Sequence, residues 1–368
     1  MNRLSEILLS FLLLYSSLVI ALTFPMPPKG SHIVGKIQTI QINSNDNYTS
    51  VGQKFDVGYY EIFEANPGVD PDDLYPGTIL VIPTQYLLPP KLYDSIVINL
   101  AEMRLYYSSS RLHKIFTYPI GIGMEDWQTP TGYFKIIEKI EHPKWFVPKS
   151  IQEYRAEHHD EVPKVVPSGA DNPMGEYALR LSNPEYLIHG TDNPGGVGQR
   201  SSAGCIRMYP KDIKELFSLV KKDTRVFIIN QPYKVAKNKG MIYLEAHMPL
   251  HEQRIKMAGD FTPVVNALKK SGEKNIDHID WQQVLQVAKE HLGIPQEIRT
   301  TTEVTHPPVF TIQPAHFSKE NWRSIALKAF VGEKDNSPVQ RDLKNCFMKN
   351  HIYQDNKLWL NITHTQEL

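Results

Sequence analysis

His189-Gly190-Thr191, followed by Ser201-Ser202-Ala203-Gly204-Cys205-Ile206-Arg207-Met208, is the stretch on which the reading of this chain turns. It holds one of only two cysteines in 368 residues and a histidine able to activate it. A cysteine in an enzyme-sized chain with a histidine at hand is a candidate nucleophile. Pairing with an imidazole lowers a thiol's pKa and supplies the thiolate that attacks. Gly204 carries no Cβ, so the backbone amides of Gly204 and Cys205 can approach a reacting carbonyl oxygen, as an oxyanion hole requires. Most free cysteines only pack; the surroundings of Cys205 are what set it apart.

Those surroundings are Tyr186-Leu187-Ile188-His189-Gly190-Thr191, the glycines Gly195, Gly196 and Gly198, Arg200, and then Gly-Cys-Ile-Arg-Met. Together they resemble the active-site signature of the L,D-transpeptidases of bacterial cell walls, the YkuD-type (ErfK/YbiS-like) catalytic domain. Asn172-Pro173-Met174-Gly175 and Ala178-Leu179-Arg180-Leu181 are similar to the family's approach to the histidine, and Asp212-Ile213 and Leu216-Phe217 to its helix after the cysteine. Two positions depart from the common pattern. Ala203 stands where many members have a second histidine, which leaves His189 alone as the base. Gly190 follows His189 and offers no side chain to orient the ring, so a backbone carbonyl is expected to do so.

The resemblance implies cysteine acyl transfer on a peptidoglycan tetrapeptide stem. His189 takes the proton, Cys205 attacks the carbonyl of the third stem residue, D-alanine leaves, and an amine takes the acyl group. The implied amine is another stem peptide, a lipoprotein lysine or an outer-membrane protein. Arg207, Ser202, Gly190, Thr191 and Trp145 are candidate substrate-binding residues; for Arg207 a salt bridge to a neighbouring strand is the alternative. Trp145 and Trp127 are read as groove lining or as rim packing. No cofactor and no metal are expected. Two other functions are compatible with the same residues: a carboxypeptidase or hydrolase with water as acceptor, and a non-catalytic peptidoglycan-binding protein with a decayed core. The intact His189 and Cys205 argue against the second.

Outward from this stretch, residues 92–230 are strand-rich. Ile96-Val97-Ile98-Asn99-Leu100, Met103-Arg104-Leu105-Tyr106-Tyr107 and Ile115-Phe116-Thr117-Tyr118 carry the β-branched and aromatic residues of strands. Thr129-Pro130-Thr131-Gly132 reads as a turn into a further strand, and Arg225-Val226-Phe227-Ile228-Ile229 as a closing one. The expected fold is therefore a mainly β catalytic core, a YkuD-like β-sandwich with one helix after the cysteine. A small α+β module precedes it and an α/β C-terminal appendage follows.

Residues 31–84 make the small module. Asn66-Pro67-Gly68 stops a helix, and Pro76-Gly77-Thr78-Ile79-Leu80-Val81-Ile82-Pro83 closes with a strand. The unit resembles a LysM module, which implies binding to N-acetylglucosamine-containing glycan; a packing domain is the alternative. Pro89-Pro90 reads as a linker that leaves the two units independent. Residues 231–300, with hairpin-like and then helical text, form the appendage, expected to recognise the acceptor and to be dispensable for acylation. Residues 301–368 form a tail without a motif.

Residues 1–23 read as a secretory signal: Arg3, an apolar run from Ile7 to Ile20, and Ala21 and Thr23 as small residues for a cleavage site. With the family resemblance this implies the periplasm of a Gram-negative envelope. The 40 basic and 40 acidic residues balance, which argues against a nucleic-acid partner. With Cys205 and Cys346 alone there is no disulfide framework, so stability must come from the core. The histidines lack metal-ligand spacing.

Overall fold

The computed structural model describes residues 22–306, apart from 158, 160, 161, 258, 259 and 273–275, together with 314–315 and 358–359. Cys346, most of the 301–368 tail and residues 1–21 lie outside the described residues. No helix among the described residues is long and apolar enough to cross a membrane.

The chain opens with a short edge strand, β1 (Leu22–Pro25). The small module follows: β2 (Ile33–Gly35), β3 (Gln38–Gln41), α1 (Tyr48–Phe55), α2 (Tyr59–Ala65), β4 (Ile79–Ile82) and β5 (Gln85–Leu87). Its helices start where the sequence supplies caps. Asn47 accepts from the Ser50 amide while Ser50 Oγ accepts from the Asn47 amide, and Glu61 takes the Gly58 amide. The module has its own core of Tyr48, Val51, Val57, Ile62, Leu80 and Ile82. Asn66 ties α2 to β4, donating to Ile62 O and Val81 O and accepting from Val81 N.

The catalytic core contains β6 (Ser95–Asn99), β7 (Arg104–Ser109), β8 (Lys114–Pro119), β9 (Ile122–Gly123), β10 (Gly132–Glu141), β11 (Trp145–Phe146), α3 (Lys149–Glu157) and β12 (Val165–Val166). It continues with β13 (Tyr177–Leu181), β14 (Leu187–His189), β15 (Arg200–Ser202), β16 (Ile206–Arg207), α4 (Pro210–Leu219) and β17 (Arg225–Ile229). Nine strands hydrogen-bond in the order β1-β8-β7-β6-β17-β10-β13-β14-β16. This one sheet curls, so that residues of β6 to β8 and residues of β10, β13 and β14 enclose a common core with Ile213, Leu216 and Phe217 of α4. The expected mainly β core with one helix after the cysteine is what the chain builds, and its opposing layers come from the curl. The β11–β12 ribbon and α3 stand apart from the sheet, and α3 buries no residue.

The appendage is β18 (Tyr233–Asn238), β19 (Met241–Ala246), α5 (His251–Met257), α6 (Thr262–Lys270), α7 (Trp281–Glu290) and β20 (Gln296–Ile298). Its three strands form a separate sheet on which α6 and α7 pack around Leu244, Val264, Leu268, Trp281 and Val284.

The small module is not a bead on a flexible linker, as its flanking prolines suggested. Arg104 of β7 reaches into it, with Nε 2.7 Å and Nη2 2.9 Å from the Glu61 carboxylate and Nη2 2.9 Å from Asp56 O. Both side chains are buried. The appendage is joined in the same way. Lys234 Nζ stands 2.6 Å from both Glu102 and Glu245, and His247 bridges Glu245 (2.8 Å) and Glu64 (3.0 Å). Glu102, Glu245 and His247 are close enough to hold a metal ion, but the Lys234 ammonium already supplies the cation there. Glu64 comes from the small module, Glu102 from the catalytic core and the rest from the appendage, so one buried network joins all three units.

Candidate active site

The site lies where β14 and β16 run parallel, with Ile188 opposite Ile206 and His189 opposite Arg207. Carrying that register back one residue sets Cys205 beside Leu187. Side chains alternate faces along a strand, so Cys205, His189 and Arg207 share one face. Parallel neighbours need a crossover, and here the loop from 190 to 205 provides it. The glycines of this loop let it fold tightly beneath α2. Gly198 has φ +77°, its Cα would hold a Cβ only 2.2 Å from the Tyr59 amide, and its carbonyl accepts from Tyr60 N.

His189 is buried, and its Nδ1 lies 2.7 Å from Gly190 O. A carbonyl only accepts, so Nδ1 carries the proton and Nε2 presents its lone pair. The orienting group is thus the backbone carbonyl of the residue that has no side chain to offer. Burial, and then the Arg207 guanidinium, push the imidazole pKa down to about 4, partly offset by the Gly190 and Met174 carbonyls.

Cys205 is partly exposed, with Sγ 3.8 Å from Glu185 O. Its sulfur is nevertheless crowded by protein atoms, and that burial raises the thiol pKa above its ordinary value, opposed by the Leu187 amide, Arg207 and Arg180. Both groups lose more solvation than their neighbours return, which pushes the thiol up and the imidazole down, against the expected low-pKa thiolate.

The turn before Cys205 is tightly braced. Ser202 Oγ donates to Cys205 O at 2.5 Å and accepts from Gly204 N at 3.2 Å. The Gly204 amide, expected as an oxyanion donor, thus meets Ser202 Oγ, and Ser202, expected at the substrate, also braces the turn. Gly204 itself has φ +99°, and a Cβ there would lie 2.8 Å from the Tyr186 ring. Thr129, which the sequence reading passed over as a site residue, accepts from Gly123 N and donates to Gly204 O, both at 2.9 Å. The Thr-Pro-Thr-Gly turn marks its place in the sequence, but nothing in that turn signals a contact 75 residues away.

The other candidates sit as follows. Arg207 is held through its backbone to Gly121, and its Nε is buried without a hydrogen-bond partner. Thr191 is buried and closes its own loop, donating to Asn193 O and accepting from Asn193 N. The Gly190 amide donates to Tyr177 O. Trp145 belongs to the β11–β12 ribbon, opposite Val166. The ribbon is tied to the histidine loop by Asn172, which donates to Pro143 O and Pro167 O and accepts from Met174 N. Trp127 packs edge-on against Tyr154 of α3, with ring centres 4.9 Å apart. Away from this site, the small module bears a surface depression between the start of α1 and the Pro71-Asp72 loop, lined by Asn47, Tyr48, Ser50, Gln53 and Tyr59.

Fold and site together define a mainly β catalytic domain preceded by a small βααβ module. Residues 93–228 match the L,D-transpeptidase catalytic domain (YkuD), and residues 40–83 match the LysM domain. The chain is 38% identical over 284 residues to the probable L,D-transpeptidase YcfS of Escherichia coli, covering 75% of this chain and 88% of that one. It is 36% identical over 308 residues to the probable L,D-transpeptidase ErfK/SrfK of Salmonella typhimurium, covering 81% and 98%. With YbiS of Escherichia coli it shares 38% over 290 residues, covering 76% and 93%. The chain belongs to the L,D-transpeptidase family and is an L,D-transpeptidase.

Proposed function

We propose that the protein is a periplasmic L,D-transpeptidase in which Cys205 forms a thioester with the third residue of a tetrapeptide stem and releases D-alanine. The observation that carries this reading is the placing of Cys205 and His189 on one sheet face, with the imidazole oriented by the Gly190 carbonyl. With Nδ1 fixed on Gly190 O, His189 Nε2 is free to take the thiol proton as the sulfur attacks. A base held near pKa 4 stays unprotonated at neutral pH. The proton then goes to the leaving amine, and a new amine attacks the thioester. The Cys205 amide is the backbone donor for the developing oxyanion, because Ser202 occupies that of Gly204. Arg207 has a buried, unpartnered Nε on the same face, which suits it to a stem carboxylate.

The LysM module would hold the enzyme on glycan through the depression at Asn47, Tyr48 and Tyr59, where aromatic and polar groups alternate. The acceptor is an amine of a second stem peptide, or of an envelope protein or lipoprotein. Incubating the purified protein with disaccharide-tetrapeptide, with and without an amine acceptor, tests the reading. Expected are loss of one alanine mass, an acyl adduct on Cys205, and no turnover by Cys205→Ala. Release of D-alanine by that variant would refute the mechanism, and a purely hydrolysed product in excess amine would assign the acceptor to water.

A further inference from the structure

The first described residue, Leu22, presents its backbone nitrogen to a buried carboxylate, 2.9 Å from Asp56 Oδ2. Asp56 is the left-handed C-cap of α1, at φ 60°, and is 1% exposed. Beside it is Asp212 of α4, fully buried, with the Asp56 carboxylate as the neighbour of its carboxyl group. Lys211 Nζ lies 3.0 Å from Asp56 Oδ1 and 3.9 Å from Asp212 Oδ1, but Asp56 Oδ1 makes no aligned hydrogen bond, and the lysine is one-third exposed. The other cation nearby, Arg104, is consumed by Glu61. Glu215, Tyr118, Tyr209 and Lys114 complete the ionisable groups around the cluster. Asp56 is thus a buried carboxylate whose partner cation, Lys211, is partly solvated. Burial, and then the Asp56 charge, hold Asp212 well above the ordinary carboxylate range.

The register of β1 shows why the nitrogen points there. Leu22 pairs with Thr117 and Phe24 with Ile115, so β1 is an edge strand whose first amide faces α1 and α4 instead of extending the ladder. Immediately before it the sequence reads Val19-Ile20-Ala21, with uncharged residues three and one positions ahead of Leu22, two residues earlier than the end at Thr23 read from the sequence. That is the pattern a signal peptidase accepts.

We infer that the chain is cut between Ala21 and Leu22, and that the new α-ammonium of Leu22 joins Lys211 as a cation on the buried Asp56 carboxylate. The inference rests on the export reading above. Water adds across the Ala21–Leu22 amide in a signal peptidase: the acyl side leaves as the Ala21 carboxylate and the nitrogen as the Leu22 ammonium. One N–H donor becomes three, and a positive charge arrives beside the buried Asp56 carboxylate. The processed end thereby joins the sheet edge, the LysM helix and the helix after the nucleophile, which makes maturation a step in completing the fold.

The test begins with the full chain expressed with its leader and recovered from the envelope. Intact mass and N-terminal sequencing should give Leu22. A processed chain starting elsewhere overturns this inference alone; an unprocessed chain in the cytosol overturns the export reading with it. Purified protein starting at Leu22 is then compared with the same protein carrying one extra residue before Leu22 or an acetylated amine. The free Leu22 end should melt several degrees higher at pH 7, and the gap should vanish in Asp56→Asn. Equal melting temperatures, or a gap that survives Asp56→Asn, refute it. Should that variant not fold, the Leu22 amine of the parent is titrated by its rate of reductive methylation. Pairing with carboxylates should raise it above the ordinary α-amine value of about 8; an unshifted titration refutes the docking.

Discussion

Cys205 and His189 are set by exclusion from water more than by mutual charge. Burial raises the thiol and drops the imidazole to about 4. Iodoacetamide alkylation of Cys205 is therefore expected to keep rising with pH beyond the ordinary thiol value of about 8.5. A plateau reached by pH 7 would instead reveal a standing thiolate–imidazolium pair. On the acid side, His189 is a base until pH falls to about 4, so loss of acylation should follow that value and not 6.5. The brace is testable on its own. Thr129→Val keeps the volume but removes the bonds to Gly123 N and Gly204 O, at a cost of about 1–3 kcal/mol in the turn. The acylation rate should drop while substrate affinity changes little; unchanged kinetics would remove Thr129 from the support of the nucleophile.

At the scale of elements, what decides the behaviour of the LysM module is its contact with β7 and with the 190–205 loop. Glu61→Gln leaves Arg104 charged, fully buried and without its counter-ion, which costs about 3–5 kcal/mol. Thermal unfolding of the whole chain should shift down accordingly. A variant with parental stability would mean that the pair contributes nothing net. Deletion of residues 31–84, on the same grounds, should destabilise the catalytic core as well as abolish sedimentation with peptidoglycan. Full turnover of a soluble tetrapeptide by the deleted protein would restore the picture of independent units. Gly198 makes the same point through sterics: alanine there meets the Tyr59 amide at 2.2 Å and a backbone conformation that L side chains rarely adopt.

Across the whole molecule the three units are held by the buried network of Glu64, Glu102, Lys234, Glu245 and His247. Burial alone would depress His247, but its bonds to Glu245 and Glu64 carry it up to about 10. A histidine raised in the folded state contributes stability that is complete below its unfolded value near 6.5 and is lost as pH rises through about 10. The melting temperature should therefore fall between those limits in the parent and fall less in His247→Gln, which starts lower. Identical pH profiles would exclude His247 as the source. Truncation after Asn230 strips Lys234, Glu245 and His247 from Glu102 and Glu64, so the remaining core should misfold or aggregate instead of acylating normally.

By itself, the sequence determined what local chemistry can specify. The strand-rich text of the catalytic core, the helix after Cys205 and the capped helices of the small module are set by side-chain period and by neighbours a few residues apart. The Gly-Cys-Ile-Arg and His-Gly-Thr segments marked the candidate site because they resemble the L,D-transpeptidase signature, and residues 93–228 match that catalytic domain. Tertiary structure decided whatever depends on burial and on contacts distant in sequence. It engaged the Gly204 amide with Ser202, brought Thr129 beneath Gly204, and through desolvation pushed the Cys205 thiol up and the His189 imidazole down. It also turned a Pro-marked joint into a buried interface, because Arg104 and Glu61 lie 43 residues apart and neither one's local sequence reveals that it will meet the other out of water.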